Sequence, residues 1–124
     1  MKLSQPVILA VVFILVLIVA ILVLTNAPGK YDTFTKCLSD NGAKMYGAFW
    51  CSHCKEQKEL FGSSWKYANY VECSTPDGTG RLQVCVDAGV SSYPTWIFKN
   101  GTKNAGVMTF DELSQKTGCP IQKS

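Results

Sequence analysis

The chain begins with an unbroken apolar stretch, Val7 to Leu24, that contains no charge and no glycine. A helix of that length spans about 27 Å, close to the hydrocarbon thickness of a bilayer. It would have no polar side, which argues against a buried helix of a soluble core. A cleaved signal peptide normally has a shorter apolar core, and here the small-residue exit at 25–27 leads directly into Pro28. We therefore expect an uncleaved signal anchor that crosses the membrane once, with cleavage as the alternative.

The apolar spacing becomes helical after the polar break at 26–29. Apolar residues recur at Tyr31, Phe34, Cys37 and Leu38, and Asn41-Gly42 ends this helix. Ala43–Phe49 predicts a strand with apolar groups on both faces, as in the centre of a sheet. A second helix is predicted to open at Cys51. Its inward positions are Cys54, Phe61 and, past Gly62, Trp65, and its charged residues Lys55, Glu56, Lys58 and Glu59 are predicted to face water.

The second half continues the alternation of strands and helices. Tyr70–Cys73 predicts a short strand, and 74–80 is a turn-rich loop. In the helix predicted over 81–88, the residues Leu82, Cys85 and Val86 share one face. A strand follows at Thr95–Lys99, and Asn100-Gly101 predicts a hairpin into a last strand near Ala105–Met108. Thr109 and Glu112 form a capping-box pattern for a final helix, which Gly118 and Pro120 end.

This order of elements, α-β-α-β-α-β-β-α, predicts an α/β domain with a four-stranded mixed sheet and helices on both faces. The chain thus divides into an N-terminal anchor over 1–27 and a folded domain over 30–124. At 124 residues the chain has room for one small domain.

Charge and cysteine content suggest where that domain works. Six cysteines in so short a chain are hard to explain in a reducing cytosol. Lys2 is the only charge before the apolar stretch, and Lys30 follows the stretch closely. The difference in positive charge between its two ends, which sets the orientation of a membrane span, is therefore small. We place the N-terminus in the cytoplasm and the folded domain outside it. The 12 basic and 9 acidic residues are dispersed and form no basic stripe, which does not indicate a nucleic-acid partner.

The segment Ala48–Phe61, AFWCSHCKEQKELF, carries two cysteines with two residues between them. A structural zinc site needs four ligands, but the other cysteines stand singly and the lone histidine, His53, lies inside the pair, so no metal is expected. Bridging Cys51 and Cys54 would close too short a loop to stabilise a fold. A redox pair suits the strand-to-helix junction, because free amide groups and the helix dipole stabilise a thiolate at Cys51. Cys54, one turn later, can then resolve a mixed disulfide, and a protonated His53 would favour the thiolate further.

These residues resemble a known family. WCSHC, followed about forty residues later by YPTW, resembles the thioredoxin fold. The stretch from Ala43 to Leu113 resembles more closely the thioredoxin-like domain fused to bacterial and plant homologues of vitamin K epoxide reductase. This resemblance implies a cis proline at Pro94 facing the active cysteines, and substrate pairing along the backbone at Tyr93. It implies a substrate groove lined by Trp50, Tyr93, Pro94 and Thr95, and a structural disulfide between Cys73 and Cys85.

The chain departs from these relatives in three ways. The fused quinone-reducing domain has no counterpart in the sequence, so reoxidation would need a separate membrane partner, such as a vitamin K epoxide reductase homologue. The buried acid that thioredoxins carry six residues before the first cysteine is replaced by Met45. Cys37 and Cys119 lie outside the family pattern: an internal bond between them is favoured, with a free thiol or an interchain link as alternatives.

The leading hypothesis is a membrane-anchored thiol–disulfide oxidoreductase that needs no cofactor and acts on cysteine-containing extracytoplasmic proteins. Cys51 would be the nucleophile, Cys54 the resolving thiol and His53 a tuning residue, with the direction of electron flow left open. The alternative is an anchored thioredoxin-like binding module without turnover. A third hypothesis, metal or haem-thiol delivery, lacks the histidines or methionine cluster it would need.

Overall fold

The structure, a computed structural model, describes residue 2 and residues 4–122. The outermost residues of the two predicted segments, 1 and 124, therefore lie outside the described part. The helices are α1 (Gln5–Thr25), α2 (Asp32–Asp40), α3 (Ser52–Phe61), α4 (Gln83–Asp87) and α5 (Phe110–Thr117), with a 3₁₀ helix at Gly62–Tyr67. The strands are β1 (Lys44–Gly47), β2 (Tyr70–Glu72), β3 (Thr95–Ile97) and β4 (Lys103–Ala105).

The four strands form one mixed sheet in the order β2-β1-β3-β4. β1 runs parallel to β2 and antiparallel to β3, and β3 pairs antiparallel with β4. Met45 in β1 lies between Tyr70 of β2 and Trp96 of β3. The predicted mixed sheet and fold class are confirmed.

The two faces of the sheet carry separate cores, as the alternation of side chains along a strand requires. On one face, Met45 packs with Phe34 of α2, Cys54 of α3 and Leu113 of α5 in a large apolar cluster. On the other face, Tyr46 packs with the smaller cluster of Cys73, Cys85 and Val90 beside α4. Helices therefore cover both faces, and α3 begins just past the end of the central strand β1.

Local signals at helix ends behave as their chemistry predicts. The Thr109 hydroxyl accepts a hydrogen bond from the backbone N–H of Glu112, whose carboxylate accepts one from the backbone N–H of Thr109. Gly118 ends α5 at φ 76°, a left-handed conformation that favours glycine. Both ends of this helix were predicted from the sequence and are confirmed.

Three element predictions need correction. The last strand is Lys103–Ala105 instead of Ala105–Met108, because the tight turn at 100–101 lets pairing with β3 start at once and Gly106 ends it at φ 96°. Val86 is 49% exposed, since α4 is a single short turn that buries Cys85 alone. Lys58 is only partly exposed, because its ammonium lies 3.9 Å from the centre of the Tyr70 ring.

The N-terminal helix α1 is the one described helix that is long and apolar enough to cross a membrane. Its 21 residues have a mean hydropathy of 3.8 over the most apolar window, and none of that window is buried against the rest of the chain. A membrane span or a signal sequence would both have this character. At Gly29 the chain enters the folded domain, where its buried backbone N–H donates to Asp32.

Two disulfide bonds cross-link the folded part. Cys37 of α2 is bonded to Cys119 in the segment after α5, with Cα atoms 5.8 Å apart. Cys73, directly after β2, is bonded to Cys85 of α4, with Cα atoms 5.6 Å apart. Among the described residues this leaves Cys51 and Cys54 as free thiols.

Candidate active site

The two free thiols lie at the first turn of α3. Cys51 is the residue that caps the helix, with extended backbone angles, and its sulfur accepts a hydrogen bond from the backbone N–H of Cys54 at 3.3 Å. A thiolate at this position would be stabilised by the same N–H and by the positive end of the helix dipole. Cys51 remains 8% exposed while Cys54 is fully buried, so substrate has access to the first sulfur alone.

The loop before β3 lies against Cys51. The peptide bond between Tyr93 and Pro94 is cis, and Pro94 is buried. The Cys51 thiol donates to the carbonyl oxygen of Tyr93, 3.7 Å away. Thr95, the first residue of β3, is buried, and its hydroxyl donates to the carbonyl of Ser92 at 2.8 Å. The turn that carries Tyr93 and Pro94 is thereby fixed beside the accessible thiol.

Aromatic side chains border the thiol on the solvent side. Phe49 and Trp50, in the turn between β1 and α3, are 49% and 51% exposed. The Trp50 indole N–H donates to the hydroxyl of Ser74, and its ring lies edge-on to Tyr93 with ring centres 6.0 Å apart. Arg81 donates to the Tyr93 hydroxyl at 3.0 Å. Hydrogen bonds therefore fix the side chains of Trp50, which precedes Cys51 in the chain, and Tyr93, whose carbonyl accepts from the Cys51 thiol.

His53 occupies the exposed side of the same helical turn. Its Nδ1 lies 3.4 Å from a carboxylate oxygen of Glu56, and the two side chains are 70% and 61% exposed. The imidazole therefore faces solvent, and no described hydrogen bond joins it to Cys51.

Cys54 lies in a tight apolar space behind Cys51. A β-carbon added at Gly47 would come within 2.8 Å of the Cys54 sulfur, so only glycine leaves room for this thiol. Burial, with a further contribution from the hydrogen bond with Cys51, raises the pKa of the Cys54 thiol to about 12. Met45, at the position where thioredoxins carry an acid, is fully buried and offers no proton acceptor.

Sequence reasoning missed two polar residues near the thiols. Gln57 is fully buried on α3, where its side chain bonds both backbone groups of Met108 and accepts from the Trp96 indole at 3.1 Å. Its spacing of three residues from Cys54 was the available signal. Glu72, at the end of β2, accepts hydrogen bonds from the backbone N–H groups of Phe49 and Ser74. The strand alternation that places Glu72 on the same face as Tyr70 could have revealed it.

The described residues contain no group of three or more His, Cys, Asp or Glu side chains arranged to hold a metal ion.

Comparison with known proteins agrees with this geometry. The chain is 48% identical over 94 residues to thiol-disulfide oxidoreductase LTO1 of Arabidopsis thaliana, a match that covers 72% of this chain and 24% of the relative. The chain thus spans about a quarter of that protein's length. It is 31% identical over 108 residues to protein disulfide-isomerase 5-1 of the same plant, covering 81% of this chain and 71% of the relative. No protein-family model matches the chain.

The thioredoxin-like part of the expected resemblance is therefore confirmed, together with the enzyme class. The free cysteine pair at the start of α3 and the mixed sheet behind it are the parts of the structure that such an enzyme requires. The chain belongs to the thioredoxin-fold thiol–disulfide oxidoreductases, the family of protein disulfide-isomerase 5-1.

Proposed function

We propose that this oxidoreductase exchanges disulfides with cysteine-containing proteins outside the cytoplasm, through Cys51-Ser52-His53-Cys54. The observation that carries the proposal is the arrangement of the two sulfurs. Cys51 is partly accessible at the helix start, 3.7 Å from the Tyr93 carbonyl, and Cys54 is buried one turn behind it. An accessible nucleophile backed by a second thiol supports two-step exchange.

The exchange conserves electrons at each step. The Cys51 thiolate attacks one sulfur of a substrate disulfide, forming a mixed disulfide and releasing the other substrate sulfur as a thiolate. The Cys54 thiolate then attacks the Cys51 sulfur, so that the substrate leaves fully reduced and the enzyme holds a Cys51–Cys54 disulfide. In the reverse direction a substrate thiolate attacks the Cys51 sulfur of the oxidised enzyme, and Cys54 leaves as a thiolate. A second substrate thiolate then attacks the substrate sulfur of this mixed disulfide, so that the substrate gains a disulfide and Cys51 leaves as a thiolate.

Substrate would lie in a groove formed by Trp50, Tyr93, Pro94 and Thr95. The exposed ring of Trp50 would supply an apolar contact, and the backbone at Tyr93, whose carbonyl lies 3.7 Å from the Cys51 sulfur, would pair with an extended peptide. Such recognition reads the backbone more than the sequence, which suits an enzyme that acts on several proteins.

His53 is proposed to set the direction of exchange. A protonated imidazole between the two cysteines would stabilise the thiolate form and make the disulfide a stronger oxidant, although Glu56 beside it would offset part of that charge. The redox potential tests this proposal. A value near the thioredoxin end of the range, about −270 mV, would contradict an oxidant or isomerase role.

The helix α1 is proposed to anchor the enzyme, with the N-terminus in the cytoplasm and the folded segment outside. Its length and hydropathy support one crossing, and two disulfides in the folded segment suit an oxidising compartment. We further propose the division at residues 1–27 and 30–124 for anchor and domain. Reoxidation of the cysteine pair would come from a separate membrane partner, such as a homologue of vitamin K epoxide reductase.

Trapping of the mixed disulfide tests the proposal. Cys54→Ala cannot release a substrate bound at Cys51, so membranes from cells expressing this variant should yield disulfide-linked complexes that dissolve on reduction. The matched control is the double variant Cys51→Ala/Cys54→Ala, which should yield none. A well-expressed Cys54→Ala protein that traps nothing would favour a binding module without turnover.

A further inference from the structure

We propose that Glu72, acting through the hydroxyl of Tyr70, accepts the proton that Cys54 loses when it attacks the mixed disulfide. This inference rests on the proposed role of Cys54 as the resolving thiol. It assigns to β2 the proton transfer that Met45 cannot perform from β1.

Cys54 needs such a group because it must react as a thiolate from a buried position. Its side chain is fully buried, and burial raises the pKa of the thiol to about 12. At neutral pH almost none of this thiol would ionise unaided. A base within reach would therefore determine the rate of the second step of exchange.

Tyr70 lies in the same small space as the thiol. Met45 and Gly47 of β1 are paired with Tyr70 and Glu72 of β2, so all four residues point to the face that α3 covers. A β-carbon added at Gly47 would be 2.8 Å from the Cys54 sulfur and 3.2 Å from Cε2 of Tyr70. The Cys54 sulfur and the edge of the Tyr70 ring therefore border the same space, the one that a side chain at position 47 would fill.

Glu72 completes the path for the proton. The Tyr70 hydroxyl donates to one carboxylate oxygen of Glu72 at 2.7 Å, and the other oxygen accepts from the backbone N–H groups of Phe49 and Ser74. These bonds fix the carboxylate beside the turn that leads to Cys51. Burial and the bond with Glu72 raise the pKa of Tyr70, so the phenol stays protonated and can pass a proton without remaining charged.

Among the described residues, few other charges lie near Cys54, Tyr70 and Glu72. On α3, the ammonium of Lys58 lies 3.9 Å from the centre of the Tyr70 ring. Burial raises the pKa of Cys54, and the charge of Lys58 opposes that effect. The Cys51 sulfur accepts a hydrogen bond from the backbone N–H of Cys54. His53 and Glu56 face solvent as a pair on the exposed side of α3. Lys58 would thus stabilise the transient negative charge, and Glu72 is the carboxylate hydrogen-bonded to Tyr70.

The proposed step balances in atoms and electrons. In the mixed disulfide, the Cys54 S–H proton passes to the Tyr70 oxygen while the Tyr70 proton passes to Glu72. The Cys54 thiolate attacks the Cys51 sulfur, a Cys51–Cys54 bond forms, and the bond from Cys51 to the substrate sulfur breaks. The substrate leaves as a thiolate with the electron pair of the broken bond, and Glu72 returns its proton to solvent.

The test uses 5,5′-dithiobis(2-nitrobenzoate) with the reduced full-length protein. Attack by Cys51 releases one coloured thiolate, and attack by Cys54 on the resulting mixed disulfide releases the second. In Glu72→Gln the second release should slow by about tenfold or more at neutral pH, with the first changed less than about twofold. In Glu72→Gln the rate of the second release should also keep rising with hydroxide concentration up to high pH, whereas the wild-type rate should level off at a lower pH.

Two further variants make the test specific. Gln at position 72 keeps an acceptor for the N–H groups of Phe49 and Ser74, so the turn should hold. Glu59→Gln serves as a matched loss of a carboxylate on the solvent side of α3. Tyr70→Phe should slow the second release as Glu72→Gln does. The proposal would be overturned if Glu72→Gln left the rate of the second release unchanged, or if it slowed both releases equally. The path through Tyr70 would be overturned if Tyr70→Phe kept the wild-type rates. Failure of the second release in the wild type would instead contradict the resolving role of Cys54.

Discussion

The cysteines of this chain divide into two regions with opposite chemistry. Cys51 and Cys54 lie three residues apart at a helix start and are free, whereas Cys73–Cys85 and Cys37–Cys119 are bonded across separations of 12 and 82 residues. Long separations give a bond much chain entropy to remove from the unfolded state, and a separation of three gives it little. The bonded pairs therefore have the separations at which a disulfide stabilises a chain, and the free pair at the helix start is the one that we propose to exchange electrons.

The largest expected difference between the two regions is in activity. Cys51→Ala should lower disulfide exchange with a model substrate to the background rate, because no other described free thiol is accessible. The double variant Cys37→Ala/Cys119→Ala should keep wild-type exchange per folded molecule. Turnover measured alongside circular dichroism checks both, and retained turnover in Cys51→Ala would refute its assignment as nucleophile.

The next effect concerns stability. Removing the Cys37–Cys119 bond, which encloses 82 residues, should lower the free energy of unfolding by about 4.5 kcal/mol on the chain-entropy estimate. The measurement is urea denaturation of Cys37→Ala/Cys119→Ala against the wild type. A loss under about 1 kcal/mol would show that this bond does not constrain the unfolded chain as its separation implies.

The disulfide that closes the shorter loop should contribute less to the free energy of unfolding. Removing Cys73–Cys85, with a separation of 12 residues, should cost about 2.8 kcal/mol on the same estimate. Because this bond packs in the small core behind β1 and not beside Cys54, exchange per folded molecule should change little. Urea denaturation of Cys73→Ala/Cys85→Ala checks this ranking. A larger loss of unfolding free energy here than on removal of Cys37–Cys119 would contradict it.

The smallest effect lies away from every cysteine. Thr109→Ala removes one side of the capping box of α5 and should cost about 1 kcal/mol at neutral pH. The backbone N–H and the hydroxyl of Thr109 both donate to the Glu112 carboxylate and lower its pKa, so this part of the cap is present above the ordinary carboxyl pKa and is lost as pH falls through the lowered value. The bond from the Glu112 N–H to the Thr109 hydroxyl does not titrate, so thermal unfolding at neutral and acidic pH should show the difference between the two proteins narrowing in acid without vanishing.

Much of the fold could be predicted from the sequence because its signals are local. The capping pair at Thr109 and Glu112, the turn at 100–101 and the apolar run of β1, with apolar groups on both faces, each specify structure within a few residues. The bounds of β4 were wrong because pairing with β3, rather than hydrophobicity, determines where that strand lies.

Cys51 and Cys54 could be predicted at the start of a helix, and Pro94 just before a strand, because the motifs WCSHC and YPTW are each contiguous in the sequence. The surroundings of Cys54 were less so, since Gly47, Tyr70 and Glu72 meet only through the pairing of β1 with β2. Lys58 was expected in water because a charged residue on a helix usually faces solvent, and the nearby aromatic ring that attracts it belongs to another element. Contacts between elements are what sequence patterns leave out.

The most direct test of the division between the two regions is a redox titration of all six cysteines. The protein is equilibrated in thiol–disulfide buffers that span about −120 to −300 mV, and each cysteine's state is read by alkylation and mass spectrometry. We expect Cys51 and Cys54 to change together within this range while the other four stay bonded throughout. Reduction of Cys73–Cys85 or Cys37–Cys119 at the same potential, or a Cys51–Cys54 pair that never forms a disulfide, would contradict the account.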